Sequence, residues 1–269
     1  MAGGPFLDMT KIRHFFRRGL KAARLACDAK FRRGLRRGVA AAIEHRALLS
    51  PLDVRTVVDI GANLGQFSLL SWRLYPNAKI YAFEPQPAPA VRYLKVLGVD
   101  SPARLFQAAI STKMGFVEMH ISRRHDSSSL LPISEIMSTV FPGTEEIGVA
   151  RVESGPLKNF IAADDVIEPA LLKIDVQGGE LDTLIACDDF LEHFRYVFVE
   201  LSFIELYRGQ ALFTDVVRHL DRKGYDLRGI DNLARDQSGC PIQADCLFAR
   251  RTHAARIQQH QPPKLNVVG

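Results

Sequence analysis

The chain has 269 residues, of which 47% are hydrophobic and 24% are charged, a composition typical of globular proteins. It has no run of 18 apolar residues, and Lys and Arg interrupt the apolar residues near the N-terminus, which argues against a membrane span and a secretory signal. The four cysteines show neither CxxC nor zinc-ligand spacing, so we expect reduced thiols, no bound metal and a cytoplasmic protein.

The positive charge is concentrated in the first part of the chain. Residues 1–46 hold 12 Lys or Arg and three acids, whereas the remaining residues have a net charge of −4. Apolar residues recur there at helical spacing, at Ile12, Phe16, Leu20, Cys27, Phe31, Leu35, Val39 and Ile43. The pattern predicts a basic helical extension over residues 1–50. It could pack on the body as a lid, or it could rest on anionic lipid at the inner membrane surface through residues 10–46. Nucleic-acid binding is less favoured because few aromatic residues are interleaved with the basic ones.

A glycine-rich turn follows the first predicted strand. Residues 56–60 form a β-branched run that contains Asp59, and Gly61, Asn63 and Gly65 then open an amphipathic helix. Such a turn, at the carboxyl end of a strand, is where open α/β sheets bind nucleotide-like cofactors. The spacing lacks the middle glycine that admits a pyrophosphate, and no P-loop is present. The turn therefore predicts a ligand without a pyrophosphate.

A second strand, predicted over residues 79–84, also ends in an acid. The carboxylate of Glu84 would lie beside the glycine turn and could accept hydrogen bonds from both hydroxyls of a ribose. A ribose-binding acid without a phosphate site indicates S-adenosylmethionine. Residues adjacent to this acid and to the third strand would border the cofactor, namely Phe83, Pro85, Gln86, Ala108 and Ala109.

Strands and helices alternate from residue 54 onward, which predicts an α/β protein with a parallel sheet covered on both faces. The predicted strands cover residues 56–60, 79–84, 104–110, 170–175, 195–201, 225–230 and 244–250. The predicted helices cover residues 65–75, 87–97, 178–187 and 210–223. Between them we expect a hairpin-like segment over 115–122 and a polar lid over 123–150. The catalytic domain would span residues 51–252, and the tail over 253–269 would be disordered.

The motifs together resemble the FkbM family of S-adenosylmethionine-dependent methyltransferases. The resemblance covers roughly residues 54–250 and rests on motifs in the order expected for the family: 59–65, 83–85, 127–130, 173–180, 197–200 and 245–248. It implies a class I, Rossmann-like three-layer fold with seven strands, the last antiparallel. It also implies O-methylation of a small-molecule, sugar, glycolipid, polysaccharide or secondary-metabolite hydroxyl. RNA methylation through the basic arm and a non-catalytic cofactor-binding role are the alternatives.

Site residues follow from this alignment of motifs and from the chemistry of methyl transfer to an alcohol, which needs a positioned oxygen and a base. Asp59 would lie beside the amino group of the methionine moiety of the cofactor. The catalytic candidates are two acids at the ends of later strands, Asp175 and Glu200, and the loop histidine His125. Acceptor contacts are expected from Ser128, Ser129, Gln177 and Glu180.

One position departs from the family pattern. The usual run is Lys-Ile-Asp-Val-Glu-Gly, and Gln177 stands in place of its glutamate. Glutamine keeps the length and an acceptor oxygen but lacks the charge. We expect activity to survive if this position acts by hydrogen bonding, and to be impaired if it acts as a base or metal ligand.

Overall fold

A computed structural model describes residues 25–251. Its centre is a seven-stranded sheet with the strand order β3-β2-β1-β7-β8-β10-β9. The strands are β1 (Thr56–Ile60), β2 (Lys79–Phe83), β3 (Ala103–Phe106), β7 (Ala170–Ile174), β8 (Phe194–Ser202), β9 (Tyr225–Arg235) and β10 (Pro241–Arg250). β10 alone runs antiparallel to its neighbours β8 and β9, as the class I fold predicts.

Helices cover both faces of this sheet, so the central strands are buried and mostly apolar, with Asp59 and Lys173 as the buried charged exceptions in β1 and β7. Alternate residues of β1 face opposite sides: Val58 joins the cluster around Leu172, whereas Val57 joins the cluster around Leu69. The helices are α1 (Ala29–Leu35), α2 (Arg46–Leu49), α3 (Gln66–Leu74), α4 (Pro87–Leu97), α5 (Glu135–Val140), α6 (Glu180–Ala186) and α7 (Phe213–Arg222). The parallel strands point their carboxyl ends toward one edge, where the functional loops gather.

A second, three-stranded sheet corrects the prediction for residues 104–155. The predicted strand 104–110 is split, because β3 ends at Phe106 and β4 (Ala109–Ile110) belongs to the smaller sheet. β5 (Gly115–Ser122) is one strand rather than a hairpin, and it pairs antiparallel with β6 (Glu146–Gly155). The predicted lid over 123–150 therefore contains α5 and the start of β6. β6 escaped prediction because most of its residues are exposed and its alternation is weak.

The described part of the N-terminal extension packs on the domain. Asp28 caps α1, and Phe31, Val39 and Leu49 are buried in the same cluster as residues of α3 and α4. This agrees with a segment that packs on the core and leaves basic side chains such as Arg32, Arg36 and Arg37 in solvent, and the contact with a membrane surface stays a prediction. Residues 10–24 of the predicted membrane arm, and the tail predicted to be disordered over 253–269, lie outside the described residues. None of the helices between residues 25 and 251 is both long and apolar enough to span a bilayer.

Candidate active site

The glycine turn after β1 is held against the neighbouring strand β2. The backbone N–H groups of Gly61 and Ala62 both donate to the carbonyl oxygen of Phe83, at 3.0 and 2.9 Å. Gly61 has a φ of +77°, and a Cβ there would lie 1.8 Å from the carbonyl oxygen of Asp175. Only glycine fits at this close approach between two strand ends. The turn therefore brings the end of β1 to the end of β7.

Glu84 closes the other side of this turn. Its carboxylate accepts hydrogen bonds from the N–H groups of Asn63 and Gln86, at 2.9 and 2.8 Å. Burial raises the pKa of Glu84 to about 7, although the two backbone hydrogen bonds and the ammonium of Lys173 act in the opposite direction. A carboxylate has about four lone-pair positions, so two hydrogen bonds leave acceptor capacity for a ligand.

A cavity of about 610 Å³ opens above these turns, within the range typical of small-molecule sites. Nine of the residues predicted to contact the cofactor line it: Gly61, Asn63, Phe83, Glu84, Pro85, Gln86, Ala108, Ala109 and Asp175. Asn63 Oδ1 is buried beside it and has no hydrogen-bond partner in the described part of the chain. The glycine turn, the Glu84 carboxylate and this unpaired acceptor fit a nucleoside that carries hydroxyl groups and an amino group.

Two predicted cofactor residues do not reach the cavity. Asp59 is completely buried, where Ser68 Oγ donates to it at 2.7 Å and Lys173 Nζ lies 3.2 Å away. Its carboxylate therefore contacts groups inside the protein and lines neither of the two cavities of the site. Gly65 has a packing role, because a Cβ there would lie 2.5 Å from a methyl carbon of Leu97 on α4. The sequence pattern identified the turn correctly but could not separate the residues that line the cavity from those that support it.

Lys173 supports the site from the interior of the sheet. It belongs to the motif over residues 173–180, but the sequence did not predict a role for it. Its buried Nζ donates to the carbonyl oxygens of Gly61 at 2.8 Å and Ile60 at 3.3 Å, and lies 3.7 Å from the carboxylate of Asp175. Burial lowers the pKa of Lys173, but Asp59 and Asp175 outweigh it, so the pKa is raised overall. The ammonium therefore stays charged and ties the ends of β1 and β7 together.

A smaller cavity of about 300 Å³ adjoins the first. The residues that line both are Gly61, Asn63, Asp126, Asp175 and Gln177. Carboxylate, amide and imidazole groups form much of the remaining wall of the smaller cavity: Glu44, His45, Gln66, Glu200 and Gln243. The two predicted strand-end acids, Asp175 and Glu200, thus come together where the cavities meet.

Gln177 bridges these two acids. Its side-chain Nε2 donates to Asp175 Oδ1 at 2.7 Å and to Glu200 Oε2 at 3.1 Å, while its Oε1 accepts from the Tyr207 hydroxyl at 2.8 Å. The backbone of Gln177 is left-handed, with a φ of +61°. A glutamate at this position would place a third carboxylate against the other two, whereas the amide supplies the donor that both need.

Glu200 is the more perturbed of the two acids. Burial raises its pKa well above the usual value, and the charges of Asp175 and Asp245 add to this. Gln243 Nε2 donates to its Oε1 at 2.7 Å, so both carboxylate oxygens have an amide partner. The ends of β7, β8 and β10 therefore build one acidic, hydrogen-bonded wall.

Three of the predicted acceptor or catalytic residues are placed elsewhere. Glu180 is buried, and its Oε1 accepts from the N–H groups of Gly178 at 3.0 Å and Val176 at 3.3 Å, so it stabilises the turn before α6. Ser129 is fully buried and donates to the carbonyl oxygen of Gln177 at 2.5 Å. His125 lines only the larger cavity and is therefore not positioned as a base for the smaller one.

Another residue predicted to contact the acceptor, Ser128, also lines the larger cavity rather than the smaller one, and its hydroxyl donates to the side-chain oxygen of Gln86 at 3.3 Å. Sequence reasoning missed His45, Tyr207 and Gln243. None of them belongs to a motif, and each becomes visible only when the chain folds it against the strand ends.

The sheet order with one antiparallel strand, together with a nucleoside-sized crevice at the carboxyl ends of β1 and β2, defines a class I S-adenosylmethionine-dependent methyltransferase. The model of the methyltransferase FkbM domain matches residues 59–227. The chain belongs to this family, and the predicted fold, enzyme class and cofactor are confirmed.

Three relatives show the range of this family. 2-O-methyltransferase NoeI of Sinorhizobium fredii is 28% identical over 189 residues, covering 67% of this chain and 78% of the relative. Methyltransferase sdnD of Sordaria araneosa is 28% identical over 219 residues, covering 72% and 81%. The 31-O-demethyl-FK506 methyltransferase FkbM of Streptomyces tacrolimicus is 29% identical over 171 residues, covering 55% and 64%. Two of these names specify methylation on oxygen.

Proposed function

We propose that this enzyme transfers the methyl group to a hydroxyl oxygen of a sugar carried by a glycan, a glycolipid or a glycosylated metabolite. The observation that carries the proposal is the smaller cavity, whose wall combines carboxylates and side-chain amides with a few apolar surfaces. Carboxylates accept, and amides both donate and accept, which suits a ligand with several adjacent hydroxyls. Phe67, Met137 and Phe141 supply the apolar surface against which the carbon face of a sugar ring can pack.

The larger cavity would hold the cofactor. Glu84 would accept the ribose hydroxyls, Asn63 Oδ1 would accept from the amino group of the methionine moiety, and Ala108 and Ala109 would border the base. When bound, S-adenosylmethionine supplies a methyl carbon already activated by a sulfonium. The residues shared by the two cavities, Asp175 above all, would orient the acceptor oxygen toward it.

The hydrogen bonds of Gln177 support activity in spite of its departure from the family pattern. Its amide nitrogen donates to both acids, and this holds the Asp175 and Glu200 side chains in their observed orientations. A role in hydrogen bonding needs no charge at this position.

A direct test uses purified enzyme, tritiated S-adenosylmethionine and a panel of methyl glycosides with free secondary hydroxyls, with an RNA transcript as the competing acceptor. The proposal expects label in the glycosides and a mass gain of one methylene group, which fragmentation assigns to oxygen. In cells, deletion of the gene should lower the mass of the modified glycolipids or polysaccharides by one methylene group, and this result would support the proposal. Transfer to the RNA alone would overturn the proposal.

We expect Asp175→Asn to lower kcat at least tenfold while changing the affinity for S-adenosylhomocysteine much less, because the carboxylate orients the acceptor rather than the nucleoside. Steady-state kinetics and calorimetry separate the two effects. Asp164→Asn, an exposed change away from both cavities, is the matched control. A defect confined to cofactor affinity would reassign Asp175 to cofactor binding.

We also propose that a membrane surface can be the site of action when the acceptor is a glycolipid. Residues 10–24 carry six Lys or Arg and no acid, and they precede the part of the extension that packs on the domain. Each basic residue near an anionic surface contributes about 1 kcal/mol. Cosedimentation with phosphatidylglycerol vesicles, but not with phosphatidylcholine vesicles, is expected, and equal binding to both would contradict this.

A further inference from the structure

A histidine from the segment ahead of the family domain forms part of the wall of the smaller cavity. His45 ends the short 3₁₀ helix Ile43–His45, before the first residue that the family model matches. The segment is fixed to the body: the N–H of Ala42 donates to the carbonyl oxygen of Gln66 at 3.1 Å, and the Tyr75 hydroxyl donates to that of Leu49 at 2.6 Å. These contacts therefore hold His45 in the wall of the smaller cavity.

The imidazole is held on several sides. Phe198 meets its ring edge-on with centroids 5.1 Å apart, and Phe67 lies at 6.2 Å. Nδ1 lies 3.4 Å from Oδ2 of the buried Asp245. This contact is not a hydrogen bond, but a carboxylate at this distance stabilises a protonated imidazole by its charge, and Nε2 remains to receive a proton.

The other acids in the cavity are already engaged. Both oxygens of Glu200 accept from amide groups, and Asp175 accepts from Gln177 and lies 3.7 Å from the Lys173 ammonium. Burial raises the pKa of Glu200, but both of its oxygens already accept from amide donors, and Asp175 Oδ1 is occupied by the amide of Gln177. These acids are therefore suited to orient a hydroxyl, whereas the imidazole has no such partner besides Asp245 among its described contacts.

We infer that His45, backed by Asp245, is the catalytic residue that removes the proton from the acceptor hydroxyl; this rests on the proposed transfer to a sugar oxygen. The acceptor oxygen forms a bond to the methyl carbon, the carbon–sulfur bond breaks with its electron pair on sulfur, and the hydroxyl proton moves to Nε2 of His45. The imidazolium is balanced by Asp245 and returns the proton to water after the product leaves.

The charges around His45 agree with this role. Burial lowers its pKa, the neighbouring Glu44 acts in the opposite direction, and Lys173 lowers the pKa further. The remaining charged groups around it or on the same cavity wall come from several elements: Arg124 and Asp126 after β5, Asp175 just after β7, Glu200 on β8, Asp231 on β9 and Asp245 on β10. The ring is therefore neutral near pH 7 and able to accept a proton.

The test compares His45→Gln, Asp245→Asn and the control His193→Gln, a partly exposed histidine that lines neither cavity. Each protein is assayed with tritiated S-adenosylmethionine and whichever methyl glycoside the wild-type enzyme labels, across pH 5.5 to 9. Calorimetry with S-adenosylhomocysteine shows that each variant is folded with an intact cofactor cavity. We expect kcat of the wild type to rise with pH as His45 loses its proton. We expect His45→Gln to lose that rise and to lose about a hundredfold or more in kcat.

Asp245→Asn should keep that rise but move it to lower pH, because the imidazolium loses a stabilising charge. His193→Gln should behave as the wild type. Suppose that His45→Gln binds S-adenosylhomocysteine normally and keeps the wild-type kcat and pH dependence. This result would overturn the assignment of His45 as the base and would leave the proposed function standing. If the wild-type enzyme labels no glycoside, the proposed function fails, and this assignment, which depends on it, falls as well.

Discussion

The Glu84 side chain combines two requirements that oppose each other. It is 97% shielded from solvent, which disfavours a charge, yet two backbone N–H groups from different turns point at its oxygens. The hydrogen bonds fix the direction of the remaining lone pairs before any ligand arrives. A carboxylate held in this way binds a diol without losing further side-chain entropy.

We expect Glu84→Ala to weaken binding of S-adenosylhomocysteine by about 1–3 kcal/mol, because the hydrogen bonds between a charged group and the ribose hydroxyls are lost. Isothermal titration calorimetry measures this directly. Glu153→Ala, which removes an exposed glutamate from β6, should leave the affinity unchanged. An unchanged affinity in Glu84→Ala would remove the ribose assignment.

Glu180 gives a stability test that does not depend on the acceptor. Burial raises its pKa to about 7 from a usual value of 4.5, so the unfolded state ionises at a lower pH than the folded state. Its contribution to stability is full below about pH 4.5 and is lost as the pH rises through 7. In Glu180→Gln the side-chain oxygen can still accept from Gly178 N–H, but it does not ionise.

The difference in free energy of unfolding between Glu180→Gln and the wild type should therefore shift in favour of the variant by up to about 3 kcal/mol between pH 4.5 and 8. Urea denaturation at several pH values measures the difference, and the other ionisable groups cancel because both proteins share them. A difference that is constant across this range would show that burial does not perturb Glu180.

At the scale of elements, the turn between β1 and α3 depends on how closely two strand ends approach. Gly61 packs against the backbone of Asp175. The carboxyl ends of β1 and β7 are therefore in contact at the point where the two cavities join. Backbone cannot move aside as a flexible side chain can. The geometry of the whole crevice therefore rests on the absence of one Cβ.

Gly61→Ala is expected to destabilise the protein by about 4 kcal/mol or more and to abolish S-adenosylhomocysteine binding, because the added methyl overlaps a backbone carbonyl at a positive φ. Gly148→Ala on β6 is the matched control, since a Cβ there meets nothing within 4 Å. Thermal unfolding and calorimetry report the two effects. Similar behaviour of the two variants would contradict the packing argument.

The elements that the sequence predicted well are those whose burial leaves a periodic pattern. β1, β2 and β7 consist mostly of apolar residues because helices cover both faces of the sheet. Gly61 directly follows β1, and Glu84 directly follows β2. β6 leaves no such pattern, since it is largely exposed, and it was missed. The fold was thus readable from the sequence, apart from the smaller sheet.

The candidate site was readable only in part, for a different reason. Motif residues such as Asp175 and Glu200 end apolar strands, and an acid in that position stands out in the sequence. His45 and Gln243 reach the same cavity from segments far apart in the chain, and no local pattern marks them. Asp59 was predicted to contact the cofactor because it also lies near a strand end. Its carboxylate instead contacts Ser68 and Lys173 in the interior.

On the scale of the whole molecule, the N-terminal segment is part of the folded body between residues 25 and 50. Phe31 packs into the cluster around α3 and α4, while the Arg33 guanidinium pairs with Asp100 at the surface. The same segment ends in His45 at the smaller cavity. Its packing therefore supports a wall of the site as well as the core.

Phe31→Ala should lower the free energy of unfolding by about 3–5 kcal/mol, since it removes a buried aromatic side chain and leaves a cavity. Leu35→Ala on the same helix is the control, because Leu35 is 38% exposed, and it should cost less than about 1.5 kcal/mol. Urea denaturation followed by fluorescence measures both. Equal losses would indicate that α1 does not dock on the domain as described.

Lys173 constrains how the acceptor preference of this enzyme could be altered. Its one ammonium lies between two carboxylates, Asp59 and Asp175, so replacing the lysine would leave the buried Asp59 without its counter-ion. Engineering for a new acceptor should therefore begin at Gln243 or Gln66, which shape the distant wall without sharing that charge. Residue 175 should accept a neutral side chain better than residue 173, because Asp59 still pairs with the ammonium, and a library should therefore vary residue 175 while Asp59 and Lys173 are kept.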